Sequence, residues 1–461
     1  MLKVIAVFDI GKTNKKLLLF DQNLDVVHQH EEPFSTITDE DGEECDDIER
    51  IEKWLFSSVE SLIKEGRYQI CGINFSTYGA SLCWLDENGS RLTPVYNYLK
   101  QVGNKFQNEL FSAFGGEKEF CRSTASPALG MLLNSGVQML WVKSEQPEVF
   151  NKSRYILHFP QYLSSLFTKR FVSEHTSIGC HTFLWDFDKN KYHQWLSKEG
   201  IFLPEPISND KITNVKIHDQ EIACGIGIHD SSSSLVPYFK GSAEPFLLIS
   251  TGTWCINMNP FNHSPLTLDE LRHDCLCYMS IQQNPVKSSR FFMGHIHDVN
   301  VERITRHFKV PADAYKKVEI DEVLLSEYIT NGTSEMKFFI GGVPIDYVDT
   351  STNLSQFKSF SEAYHRFMYD LTIKAYESIL LISESGSSAN NVFISGGFAR
   401  NEIFVRLLAG FMPEKKVFTT QVDNSSALGA ALVIYDKVFQ GSAPEINLGL
   451  VEWDGISILK H

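Results

Sequence analysis

Apolar residues fill Val4 to Phe8, pause at Asp9, give way to a turn at Gly11 to Asn14, and resume from Leu17 to Phe20. Two short apolar runs around a Gly/Asn turn predict a β-hairpin with Gly11 at the bend. From about Asp46 the period changes. Ile48, Ile51, Leu55, Val59 and Leu62 recur every three or four positions, which predicts a helix capped by Asp46 or Asp47 and stopped by Gly66. A strand over 69–77 follows directly. Near the other end the pattern predicts a long helix over 361–385, a strand at 391–395, the pair Gly396-Gly397 and a helix from Asn401. Strands alternating with helices predict an α/β protein. Between about 100 and 240 the chain is richer in Phe, Tyr and His and less periodic, and reads as an insertion shaping a substrate site around a core sheet.

Residues 245–259 repeat the form of the first hairpin: an apolar strand, a Gly/Thr turn, a second strand. Gly252 takes the place that Gly11 holds in the first copy, about half the chain away. Such an echo is expected of two related domains that each begin with the same hairpin. The boundary is placed at Lys240 to Glu244, giving domains 1–241 and 242–461.

The 461 residues carry 42 Lys and Arg against 57 Asp and Glu, a formal charge of -15 with no basic cluster, which argues against a nucleic-acid partner. A small phosphate held by backbone N–H groups and a metal ion stays compatible with that charge. The nine Cys show no C-x-x-C pair, and an odd number fits a reducing compartment better than a disulfide framework. Cys275 and Cys277, and His295 and His297, stand two apart. On a strand the two His would share a face, but nothing else at ligand spacing supports a metal there. The N-terminus does not read as a signal peptide, and no window approaches the ~20 apolar residues of a membrane span. The expectation is a soluble, cytoplasmic protein without a membrane partner.

The turn from Asp9 to Asn14 can aim backbone N–H groups and the Thr13 hydroxyl at phosphate oxygens, because glycine lets the main chain approach. A facing copy at Gly252-Thr253 would complete a polyphosphate cradle, with Asp9 a candidate for Mg2+. The letters Gly11-Lys12-Thr13 are not a Walker A loop, since its first glycine would fall at Ala6 inside an apolar strand. Gly396 and Gly397, between strand and helix, could lie under an adenine and ribose. Asn424 to Ala431 supplies a small-residue helix start suited to close packing. Asp230, after His229 and before a serine run, either accepts a proton from an attacking hydroxyl or caps the helix.

Taken together, these residues resemble the FGGY family of carbohydrate kinases, within the actin-like ATPase superfamily. Residues 8–21 resemble its first phosphate motif, 247–256 its second, 392–410 its adenosine motif, 424–431 the segment after it, and 227–232 its catalytic-base segment in a rhamnulokinase- or fuculokinase-like form. The resemblance implies two actin-like (ribonuclease H-like) domains with an interdomain catalytic cleft, and ATP-dependent phosphorylation of a terminal hydroxyl of a ketose, L-rhamnulose- or L-fuculose-like or a ketopentose such as xylulose. It implies Asp230 as general base and Asp9 positioning Mg2+. Gly11, Lys12 and Thr13 would meet phosphates, Gly252 and Thr253 the γ-phosphate, and Gly396, Gly397 and Asn401 adenosine. Thr77, Tyr78, Gly79 and Ser81 would face the sugar, with His175, His181 and His229 as further sugar contacts. Ser81 departs from the acidic residue that such sequences tend to carry, and the segment from Ser280 to Tyr347 departs from the family's glycine-rich pattern. The implied partners are a small sugar and ATP, and a homodimer is compatible with the resemblance. Two other readings use the same cleft: a sensor that has lost transfer, and an ATP hydrolase.

Overall fold

In the computed structural model, which describes residues 1–331, 337–339, 347–348, 352–383 and 389–456, the first hairpin forms as its pattern predicts. Strand β1 (Leu2–Ile10) pairs antiparallel with β2 (Lys15–Phe20), and β2 with β3 (Val26–Glu32). Helix α1 (Ile48–Glu65) follows. Asp47 caps it by accepting the Arg50 N–H at 3.1 Å, and Gly66 closes it with φ 67°, a left-handed conformation that glycine adopts without strain. Its predicted apolar face is buried, with Trp54 added. Strand β4 (Tyr68–Thr77) then runs parallel to β1, in a register that sets Asp9 beside Ser76 and Ile10 beside Thr77.

The stretch from 100 to 240 holds helices over 105–113, 117–123, 135–145 and 147–152, packed on an aromatic core that includes Trp84, Phe120, Trp141 and Trp195. Its last third belongs to the main sheet. Helix α2 (Phe159–Thr168) leads toward β5 (Ile212–Ile217), β6 (Gln220–Gly225) and the short β7 (Ile228–His229), which ends at α3 (Asp230–Ser234). The sheet order is β5-β6-β4-β1-β2-β3, with β7 also on β4.

A second sheet repeats the plan. Strand β8 (Phe246–Thr251) forms the predicted hairpin with β9 (Cys255–Asn259), followed by β10 (Cys275–Met279), β11 (Pro285–Phe291) and helix α4 (Met293–Phe308). Helix α5 (Phe360–Leu380) starts as predicted and ends five residues before the expected Ser385, which itself lies outside the described residues. Strand β12 (Asn391–Gly396) runs parallel to β8 as β4 does to β1, and leads through a 3-10 turn to α6 (Glu402–Phe411), β13 (Lys416–Thr419), α7 (Ser425–Phe439) and β14 (Val451–Trp453). The order is β10-β11-β9-β8-β12-β13-β14.

Helix α7 comes late in the chain but lies against the first sheet. Its Ala427, Ala430 and Ile434 share a core with Ile5, Val7 and Leu18, and Asn74 of β4 donates to the Ala430 carbonyl at 2.8 Å. The small residues let it come close: a Cβ on Gly429 would overlap the Ser233 carbonyl oxygen of α3. Among the described residues no helix is long and apolar enough to cross a membrane.

Candidate active site

The parallel pairing of β1 with β4 and of β7 with β4 brings the ends of β1 and β7 to the same edge of the first sheet, and with them Asp9 and Asp230. Ser426 at the start of α7 donates to Asp9 Oδ2 at 2.8 Å. Burial pushes the Asp9 carboxyl up to about 6; the Ser426 hydrogen bond opposes this and the neighbouring Asp230 charge adds to it. Asp230 is the first residue of α3, and its Oδ1 accepts the Ser231 N–H at 2.6 Å and the Ser231 hydroxyl at 3.2 Å. Burial carries it up to about 6 as well, against these hydrogen bonds. Its side chain keeps 33% exposure.

His229 Nε2 stands 3.3 Å from Asp230 Oδ1 and 3.2 Å from Cys180 Sγ. Burial pushes its pKa down to about 3, which makes it a neutral ring at neutral pH and no charge partner for Asp230. Gly79 allows the ring in, since a Cβ there would sit 3.0 Å from both His229 Nε2 and Cys180 Sγ. The second half of the chain braces α3: Ser232 donates to the Met279 carbonyl at 2.8 Å, and Ser233 to the Ser426 carbonyl at 2.7 Å.

Each hairpin turn is closed by a glycine N–H, Gly11 to the Asn14 carbonyl at 2.9 Å and Gly252 to the Trp254 carbonyl at 3.0 Å. Thr13, Gly252 and Thr253 are exposed. Against the second turn lies the N-terminus of α4, where the Gly294 N–H donates to the Thr253 carbonyl at 3.0 Å and a Cβ would overlap the Gly252 carbonyl oxygen. A cavity of about 880 Å³ opens here, with Gly252, Thr253, Gly397 and Asn401 in its wall beside Gly294 and Tyr364. Gly396 lies at φ 86° beneath it, where a Cβ would overlap the Thr251 carbonyl oxygen. Asn401 caps α6 by accepting the Phe404 N–H at 3.1 Å, and its amide donates to the Tyr364 hydroxyl at 3.0 Å.

The divergent segment supplies part of this wall. His295 and His297 sit on α4, not on a strand, so a separation of two turns them to different sides. His295 stacks on Phe292 at 4.7 Å, while His297 is buried with Nε2 3.3 Å from the Tyr364 hydroxyl. Among the described residues no three side chains are grouped to hold a metal.

The residues expected at the sugar divide. Tyr78 is buried and donates to Asp46 Oδ2 at 2.8 Å, and Thr77 to the Tyr78 carbonyl at 2.9 Å. Ser81 is 1% exposed and donates to the Tyr96 carbonyl at 3.3 Å. His181 Nδ1 meets the Leu133 carbonyl at 3.1 Å and burial drives its pKa down to about 3; His175 packs edge-on against Trp185. Lys12, expected at the phosphates, instead places its ammonium 3.0 Å from Asp46. Sequence reasoning passed over Asp46 because one helix cap is indistinguishable from its neighbour. Ser426 and Gly294 were equally hidden, since their partners lie hundreds or tens of residues away.

Residues 4–226 match the N-terminal domain of the FGGY family of carbohydrate kinases, and residues 243–333 match a C-terminal domain of carbohydrate kinase FGGY. The chain belongs to the FGGY family of carbohydrate kinases. Among FGGY relatives, a rhamnulokinase of Oceanobacillus iheyensis is 24% identical over 56% of this chain and 56% of its own length. An L-fuculokinase of Haemophilus influenzae is 20% identical over 94% of each. The chain thus spans about half the length of the first and nearly all of the second. A carbohydrate kinase from Novosphingobium aromaticivorans has the same fold, with TM-score 0.76, 24% identity, and coverage of 98% of this chain and 96% of the other. The two sheets accordingly build the two-part actin-like fold.

Proposed function

We propose that this FGGY chain transfers the γ-phosphoryl group of ATP to a terminal hydroxyl of a ketose. The observation that carries the reading is the pair Asp9 and Asp230 at one sheet edge, each raised to about 6. Above that pH Asp230 is ionised and takes the proton as the hydroxyl oxygen attacks the γ-phosphorus and the bond to the β–γ bridging oxygen breaks, releasing ADP. Positioning and charge stabilisation carry most of the rate. The cavity at Gly252, Thr253, Gly397 and Asn401 has the size of a nucleotide site. Gly11 and Thr13 would face the phosphates from the other domain. The Asp230 charge opposes ionisation of Asp9, a carboxylate neighbourhood that suits a divalent cation, and Asp9 would position Mg2+, which neutralises phosphate charge when bound. Thr77, Gly79 and His229 would border the sugar, a deoxyketohexose such as L-rhamnulose or L-fuculose ahead of a ketopentose.

The test is ADP release with Mg-ATP against a panel of ketoses and polyols. Asp230→Asn is expected to lower sugar-stimulated turnover ~100-fold while keeping nucleotide affinity. Near-normal turnover in the variant would remove Asp230 from the role of base. ADP formed equally without sugar would favour the hydrolase, and nucleotide binding without ADP across the panel would favour the sensor.

A further inference from the structure

Lys12 belongs by sequence to the first phosphate turn, yet its side chain leaves it. The ammonium lies 3.0 Å from Asp46 Oδ2 and 5.6 Å from the ring centroids of both Tyr78 and Tyr98. Asp46 holds it there, and is itself fixed. Lys15 Nζ meets the other carboxylate oxygen at 2.9 Å, and the Tyr78 hydroxyl donates to Oδ2 at 2.8 Å. Burial opposes ionisation of Asp46, but the two ammonium groups outweigh it and hold the carboxyl below its usual range. Lys15 is 3% exposed and Lys12 is 26% exposed, so Lys12 is the member of this pair of cations that presents donors to solvent.

The place it reaches is on the acceptor side of the base. Tyr78 precedes Gly79, which abuts His229, and the charges of both Asp230 and Asp46 act on Tyr98. Two ammonium groups against one carboxylate leave the cluster a positive charge. An ammonium has three donors and no acceptor, and Asp46 takes one. We propose that Lys12 is an acceptor-recognition residue: held by Asp46 against the rings of Tyr78 and Tyr98, it donates to an oxygen of the polyhydroxylated acceptor and does not bind the phosphates of ATP.

This rests on the kinase reading above, and the experiment separates the two. Steady-state kinetics are run on wild type, Lys12→Met and Lys12→Arg with the best acceptor of the panel, varying ATP and acceptor separately, alongside direct binding of a fluorescent ATP analogue. Lys12→Met leaves Asp46 its bonds from Lys15 and Tyr78, so the fold is retained. The expected result is a KM for acceptor raised ~10-fold or more with KM for ATP and analogue affinity moved less than ~3-fold, and partial recovery in Lys12→Arg. A raised KM for ATP or weakened analogue binding with an unchanged acceptor KM overturns the proposal and returns Lys12 to the phosphates. Equal losses in both variants without a KM split also overturn it, as a structural role. Wild-type protein that no acceptor stimulates overturns the kinase reading, and with it an acceptor role for Lys12.

Discussion

Asp9 and Asp230 are carboxylates that burial raises to about 6 by disfavouring their charge. A base must be ionised, so kcat/KM for sugar phosphorylation is expected to rise with pH through about 6 and level off above it. A profile flat from pH 5 to 8 would contradict the assignment. The stability effect has the opposite sense. A carboxyl raised from 3.8 to about 6 holds its proton more tightly when folded, so its contribution falls as pH climbs across that window. Asp230→Asn is therefore expected to melt higher than wild type at pH 8, with the gap narrowing toward pH 4, checked by calorimetry. Ser426 supplies a hydrogen bond that favours the ionised form of Asp9. Ser426→Ala should move the Asp9 titration further up, read by carboxyl carbon NMR. At this scale Asp9 stood out at the end of an apolar strand and Asp230 at a helix start before a serine run. The sequence did not separate Asp46 from Asp47, since only the tertiary fold turns one into a cap and the other inward onto Lys12 and Lys15.

Elements whose burial is one-sided were legible. Helix α1 shows its period because only one face is covered, and the two hairpins because their turns carry glycine. The helix at 135–145 hides its period for the reverse reason. Every residue from Ser135 to Val142 is buried, so no polar face alternates with an apolar one. Helix α4 was not read as a helix near His295 and His297, so the shared face that a strand would have given them does not arise. The small-residue start of α7 was legible as a close-packing signal, and its partner is α3. Gly429→Ala forces a methyl onto the Ser233 carbonyl, an overpacking that typically costs ~1–3 kcal/mol. A lowered melting temperature with a matching loss of turnover is expected, and unchanged values for both would show that α3 and α7 separate freely.

The two sheets divide the work. The large cavity is lined from the second, while Asp9 and Asp230 belong to the first, so the proposed transfer would need the halves drawn together around both ligands. Small-angle X-ray scattering is expected to show a smaller radius of gyration with acceptor and a non-hydrolysable ATP analogue together than without them. An unchanged radius would mean that the cleft is already closed. The internal repeat of hairpins announced this two-part plan, but not that α7 crosses it, because a helix's own sequence does not name the sheet it covers. That crossing has a consequence for biosynthesis. The last strand of the first sheet emerges from the ribosome about 200 residues before α7, a wait of roughly 10–40 s at ordinary translation rates. Throughout that interval Ile5, Val7 and Leu18 lack the helix that covers them, and the nascent chain offers chaperones an apolar face that full-length protein conceals.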